Sequence, residues 1–219
     1  MTNSVLTENA YEYILHLILD GEIKPGDRIR EDFIAQQLGT SRTPVREAVN
    51  QLTQNGFITY VKRKGLYCIE VSQQDLFDLL DLRKTLAAFS YRRCMDVATK
   101  EDIQTLYHQI DSFLANNKKE RIKLHNQADI AFHIKIAEIT NFPRLIKYIS
   151  EIETIMLIAR TNLKKSEKID EIIEVSWLHH RDIVTGIETK NYEFIAKTNE
   201  DHIQLMKETQ ILLATEVVG

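Results

Sequence analysis

Apolar positions set the elements of this chain. Val5, Leu6, Ala10, Tyr13, Ile14, Leu17 and Ile18 recur at helical spacing and predict a helix over 5–19. The stretch 20–29, with Gly21, Pro25 and Gly26, breaks that period and reads as a turn-rich connection. A short helix follows over 30–38, with Phe33, Ile34 and Leu38 turned inward, and Gly39-Thr40 makes a tight turn. Ser41 then suits an N-cap, and Pro44 is tolerated in a first turn, where its missing N–H would have no partner anyway. On that helix Val45, Ala48, Val49 and Leu52 share one side, while Arg42 and Arg46 lie four residues apart on the other. Gly56 is placed to end it. Residues 57–71 alternate around a Lys62-Arg63-Lys64-Gly65 tip and predict a two-stranded hairpin.

From residue 73 the period is helical almost without interruption. Helices are predicted over 73–98, 100–116, 119–140, 142–163, 168–190 and 191–215, with weak breaks between them, one of them at Lys164 to Lys168. Short connections between long amphipathic helices imply an antiparallel bundle of about six helices. The fold class is therefore mostly α. A winged helix-turn-helix domain is expected over 1–71 and an all-helical domain over 72–219.

Composition narrows the class of function. The 219 residues are 43% hydrophobic and 27% charged, with only seven glycines and three prolines, too few for a sandwich or barrel. A net charge of −4 excludes a generally basic, nucleic-acid-coating protein, but residues 41–65 hold five Lys or Arg against the single acid Glu47. Arginine to guanine is the commonest specific base contact, and a recognition helix reads bases from near its N-terminus. Ser41, Arg42, Thr43 and Arg46 occupy that end, Lys62, Arg63 and Lys64 suit phosphates, and Gly65 lets backbone approach a groove. The competing reading is a solvated helix face and an ordinary charged turn. Cys68 and Cys94 fit no metal or redox spacing and are expected to be reduced, in a cytoplasmic protein. No apolar run is long enough to span a membrane, and the polar start is no signal peptide.

The helical region carries a second pattern. Asp129 and His133 share a face with Phe132, Ile136 and Ala137; His180 is in step with Trp177, Ile183, Val184 and Ile187; His202 is in step with Leu205 and Met206. Polar groups on apolar faces need partners. Spacing leaves two readings open: histidines satisfied by ordinary hydrogen bonds, or three imidazoles and a carboxylate holding one divalent transition metal per chain, zinc or nickel first and manganese possible. Of the remaining histidines, His16, His108 and His125 are expected to be solvated.

Residues 23–71, "IKPGDRIREDFIAQQLGTSRTPVREAVNQLTQNGFITYVKRKGLYCIEV", resemble the DNA-binding domain of GntR-type transcription regulators. The helical region is similar to the FCD effector domain of their FadR branch. That resemblance implies that Asp129, His133, His180 and His202 are the metal ligands, with His179 a neighbour. It also implies a homodimer on a palindromic DNA operator and a small organic acid as effector. Six helices point to the shorter VanR-like subgroup. Arg83 matches an arginine of the family's opening helix, although Ala87 stands where a glutamate is common; it is read either as an effector-carboxylate ligand or as a salt-bridge partner. No nucleophile elbow, phosphate loop or H-E-x-x-H run supports an enzyme; a metal hydrolase and a direct metal sensor are the alternatives.

Overall fold

A computed structural model describes residues 3–160 and 169–215. The chain divides into two compact units, residues 1–72 with 154–163, and residues 73–153 with 164–219. The predicted break at Lys164 to Lys168, and the last three residues of the helix predicted over 142–163, lie outside the described residues.

In the first unit, α1 (Asn3–Leu19) packs on α3 (Arg42–Gln54), and α2 (Glu31–Gln37) packs on α3 as well. Ala10, Ile14, Ile18, Ile34, Val45, Ala48, Val49 and Leu52 form the core with Phe57, Ile58 and Cys68. Two of the inferred turns close by one device. The N–H groups of Gly56 and Phe57 bond Thr53 O and Leu52 O, and those of Gly39 and Thr40 bond Gln36 O and Ala35 O. Each glycine has a positive φ, +80° and +60°, as this helix ending requires.

Three details differ from the sequence reading. Ser41 stands at the N-cap of α3 in extended conformation, but its side chain makes no capping hydrogen bond. Phe33 points outward and is 52% exposed, because the inward face of so short a helix is filled by Ile34 and Ala35. The connection over 20–29 ends in a strand, β1 (Arg28–Ile29). It pairs antiparallel with β3 (Gly65–Cys68), whose other edge pairs with β2 (Ile58–Val61), in the order β1-β3-β2.

The second unit is built on α4 (Gln73–Val97), α5 (Lys100–Leu114), α6 (Lys118–Ile139), the first part of α7 (Pro143–Arg160), α8 (Ile169–Glu188) and α9 (Tyr192–Thr215). Three of the breaks between these helices are capped by side chains. Thr99 and Asp102 form a capping box, Asn117 accepts from the Glu120 N–H, and Asn191 accepts from the Phe194 N–H. Helix α8 is central, packing against α4, α5, α6 and α9. Its Trp177 stacks on Phe113 of α5, with ring centres 4.0 Å apart, and meets Phe132 of α6. Among the described residues, no helix is long and apolar enough to cross a membrane.

Candidate metal centre and nucleic-acid interface

Asp129 and His133 stand one turn apart on α6, His180 on α8 and His202 on α9. All four are buried, and each offers one ligand atom within 4.8 Å of the others. Asp129 Oδ1 lies 3.4 Å from His180 Nε2 and 3.7 Å from His133 Nε2. The rings are held by packing. His180 stacks on Phe132 at 4.2 Å, meets Trp177 edge-on at 5.0 Å, and sits 4.8 and 4.9 Å from the rings of His133 and His202.

Burial dominates the electrostatics. It pushes the His180 and His202 imidazoles well below their usual value; neighbouring imidazoles and Arg83 add to this, and Asp129 opposes it. Burial also pushes the Asp129 carboxyl up, but His133, Arg83 and His180 beside it outweigh this and hold the group well below the carboxylate range. His180 and His202 are thus held neutral beside the Asp129 carboxylate, the protonation states a metal requires of them. Nε2 of His133 and both ring nitrogens of His180 and His202 are buried without a hydrogen-bond partner. Buried polar atoms are ordinarily paired, so this donor set fits a divalent ion.

His179 is half-buried on α8, and its ring stands 5.9 Å from that of His202. His16 and His108 are exposed. His125 is not: it is half-buried, and its Nδ1 accepts the Trp177 indole N–H at 3.2 Å, so it serves the aromatic stack of α5, α6 and α8. Arg83 is buried on α4, bonded through Nε to Glu153 Oε1 at 2.5 Å, with Nη2 3.6 Å from Asp129 Oδ2. Of the two sequence readings of Arg83, the structure shows the salt-bridge partner, at the edge of the histidine cluster. Glu153 is the residue the sequence reading misses. Its signal is an acid on the helix face of Ile149, Ile152 and Met156, the same signature that marks Asp129.

At the other unit, Ser41, Arg42, Thr43 and Arg46 are exposed at the start of α3. Val61 pairs with Gly65, so Lys62, Arg63 and Lys64 form an exposed three-residue turn closed by the Lys64 N–H to Val61 O. Arg63, with φ of +65°, takes the left-handed position. Arg28 of β1 lies against Gly65, and a Cβ there would stand 3.5 Å from its guanidinium.

A winged helix-turn-helix unit followed by an all-helical unit with a polar centre is the build of a bacterial transcription regulator. Residues 6–68 match the family described as bacterial regulatory proteins, gntR family, and residues 78–205, more than half the chain, match the FCD domain. The chain belongs to the GntR family of regulators, in the branch that carries an FCD domain, and the families and relatives it matches are transcription regulators. It is 33% identical over 139 residues to the Nta operon transcriptional regulator of Aminobacter aminovorans, a match covering 63% of this chain and 65% of that one, just under two thirds of the relative's length. It is 23% identical over 196 residues to the gluconate operon transcriptional repressor of Bacillus licheniformis, covering 85% and 79%. Among solved structures, E. coli McbR/YncC superposes with a TM-score of 0.78 at 20% identity, over 97% of this chain and 98% of that one, which establishes the shared fold.

Proposed function

We propose that this regulator senses a small organic acid at a divalent-metal site made by Asp129, His133, His180 and His202, and as a cytoplasmic homodimer binds a palindromic operator. The observation that carries the reading is the convergence of four buried ligand atoms from three helices, with imidazole nitrogens that no protein group satisfies. When bound, a zinc, nickel or manganese ion supplies a Lewis-acidic position for a carboxylate. Arg83, pinned by Glu153, aims its remaining N–H groups beside that position. Effector binding shifts the population between DNA-competent and incompetent arrangements. Ser41, Arg42, Thr43 and Arg46 read the major groove, and Lys62, Arg63, Lys64 and Gly65 follow the backbone. The helix count supports a place in the VanR-like subgroup.

Metal analysis of the purified chain tests the site. The wild type should carry one divalent ion per chain, a His133/His180 double alanine variant should lose it, and His179→Ala should retain it. Equal occupancy in the wild type and the double variant would falsify the assignment. Because an ion bound only by the folded state stabilises it, chelation should also lower the melting temperature, by the equivalent of about 3–4 kcal/mol at saturating metal.

A further inference from the structure

The winged unit carries an arginine cluster that the recognition helix and the wing tip do not account for. An open cleft of about 470 Å³ lies where β1 and the starts of α2, α3 and β3 come together, walled by Arg28, Arg30, Glu31, Asp32, Arg42 and Gly65. Arg28 stands opposite Tyr67 in the β1–β3 ladder, and its guanidinium lies along the backbone of Gly65, with Nε and Nη2 3.5 Å from where a Cβ would stand. It is exposed and, among the described residues, makes no ion pair. Arg30 is committed, its Nη2 lying 3.3 Å from Asp32 Oδ2. Three arginines thus face the carboxylates of Glu31 and Asp32, which leaves the cleft with one positive charge over. A phosphodiester, a monoanion, closes that balance.

Position selects the same guest, and this step rests on the DNA-binding reading above. Arg42 offers its guanidinium to base edges from the first turn of α3, and Lys62 to Gly65 follow the sugar-phosphate backbone. A duplex engaged at both places leads one strand from the root of the wing to the start of α3. Gly65 and Arg42 both wall the cleft, so that strand crosses it. We propose that the cleft seats one backbone phosphate of the bound DNA and that Arg28 is its ligand. The planar guanidinium presents paired N–H groups that match two phosphate oxygens, and the neighbouring strand already restricts where it can swing. Such a contact fixes register and strength without reading sequence. Asp32 opposes it, holding Arg30 back and adding a negative charge to the wall.

Fluorescence anisotropy of the full chain tests the seat on two labelled duplexes, one of random sequence and one that the wild type selects from a randomised pool, each across about 50–200 mM salt. Arg28→Ala should weaken both by the same factor, about tenfold at the low-salt end, and lower the slope of log K against log salt by about 0.9 for each chain bound. Arg28→Lys keeps the charge and should recover the slope. Asp32→Asn releases Arg30 and removes an anion, so it should tighten both duplexes. An arginine that merely braced the wing would, on truncation, cost affinity at an unchanged slope, and lysine would not restore it. An unchanged slope in Arg28→Ala, a loss confined to the selected duplex, or no gain from Asp32→Asn overturns the phosphate seat while leaving DNA binding standing. A wild type that selects no duplex and binds the random one without salt dependence overturns both.

Discussion

Arg42 and Arg46 stand exposed one turn apart on α3, and neither makes an ion pair among the described side chains, so both guanidinium groups are available to base edges. Truncating either to alanine should cost about 1–3 kcal/mol of operator affinity and relax preference at one base position, whereas Lys62→Ala should weaken binding evenly across sequences. Electrophoretic mobility shifts against a randomised site measure both; a double Arg42/Arg46 alanine variant with full affinity defeats the assignment. The buried histidines predict a pH dependence. With their folded values pushed well below the unfolded imidazole value of about 6.5, His180 and His202 bind fewer protons in the folded chain than in the unfolded one. Stability of the metal-stripped protein should therefore be highest above that value and fall as pH drops from about 7.5 to 5.5, by up to about 1.4 kcal/mol per pH unit for each group. Differential scanning calorimetry checks the slope, and His180→Gln should flatten it.

At the scale of elements, what could be read from the chain was whatever a local pattern reports. Ser41 announces a helix start, Gly39 a tight turn and Gly56 a helix end, and the six long helices follow from periodicity alone. The four polar residues of the cluster are legible because each interrupts an apolar stripe. Strand β1 is not, because two residues are too few for an alternation, and its pairing is decided by β3 some 38 residues later. The Arg83–Glu153 pair spans 70 residues, so no window contains it. Gly186 shows the same limit. It sits in the last turn of α8, still inside the helix, where propensity favours alanine, yet an added Cβ would overlap the Ile195 side chain of α9. Gly186→Ala should thus destabilise the chain by about 1–3 kcal/mol despite the propensity gain. Chemical denaturation reads this directly, and a stabilised variant would show that α9 shifts freely against α8.

For the whole molecule, the first 70 residues hold eight Lys or Arg against nine Asp or Glu, so attraction to DNA comes from how one face is oriented and not from bulk charge. Two copies on a palindrome double that oriented face, and a two-fold dimer is the simplest assembly that does so. Light scattering at micromolar concentration should give about twice the 25.5 kDa chain mass. A monomer with undiminished operator affinity would remove the palindrome from the account. The polar centre also constrains how the chain can change length. Its side chains arrive from α4, α6, α7, α8 and α9, each aimed by its angular position on a helix that advances about 100° per residue. Inserting or deleting a single residue between Asp129 and His133, or between Trp177 and His180, swings one group out of the cluster while its neighbours stay. Among the described residues, gains and losses are therefore accommodated in the turns, at 98–99, 115–117, 140–142 and 189–191, and descendants of this sequence can lengthen there while these helices keep their register.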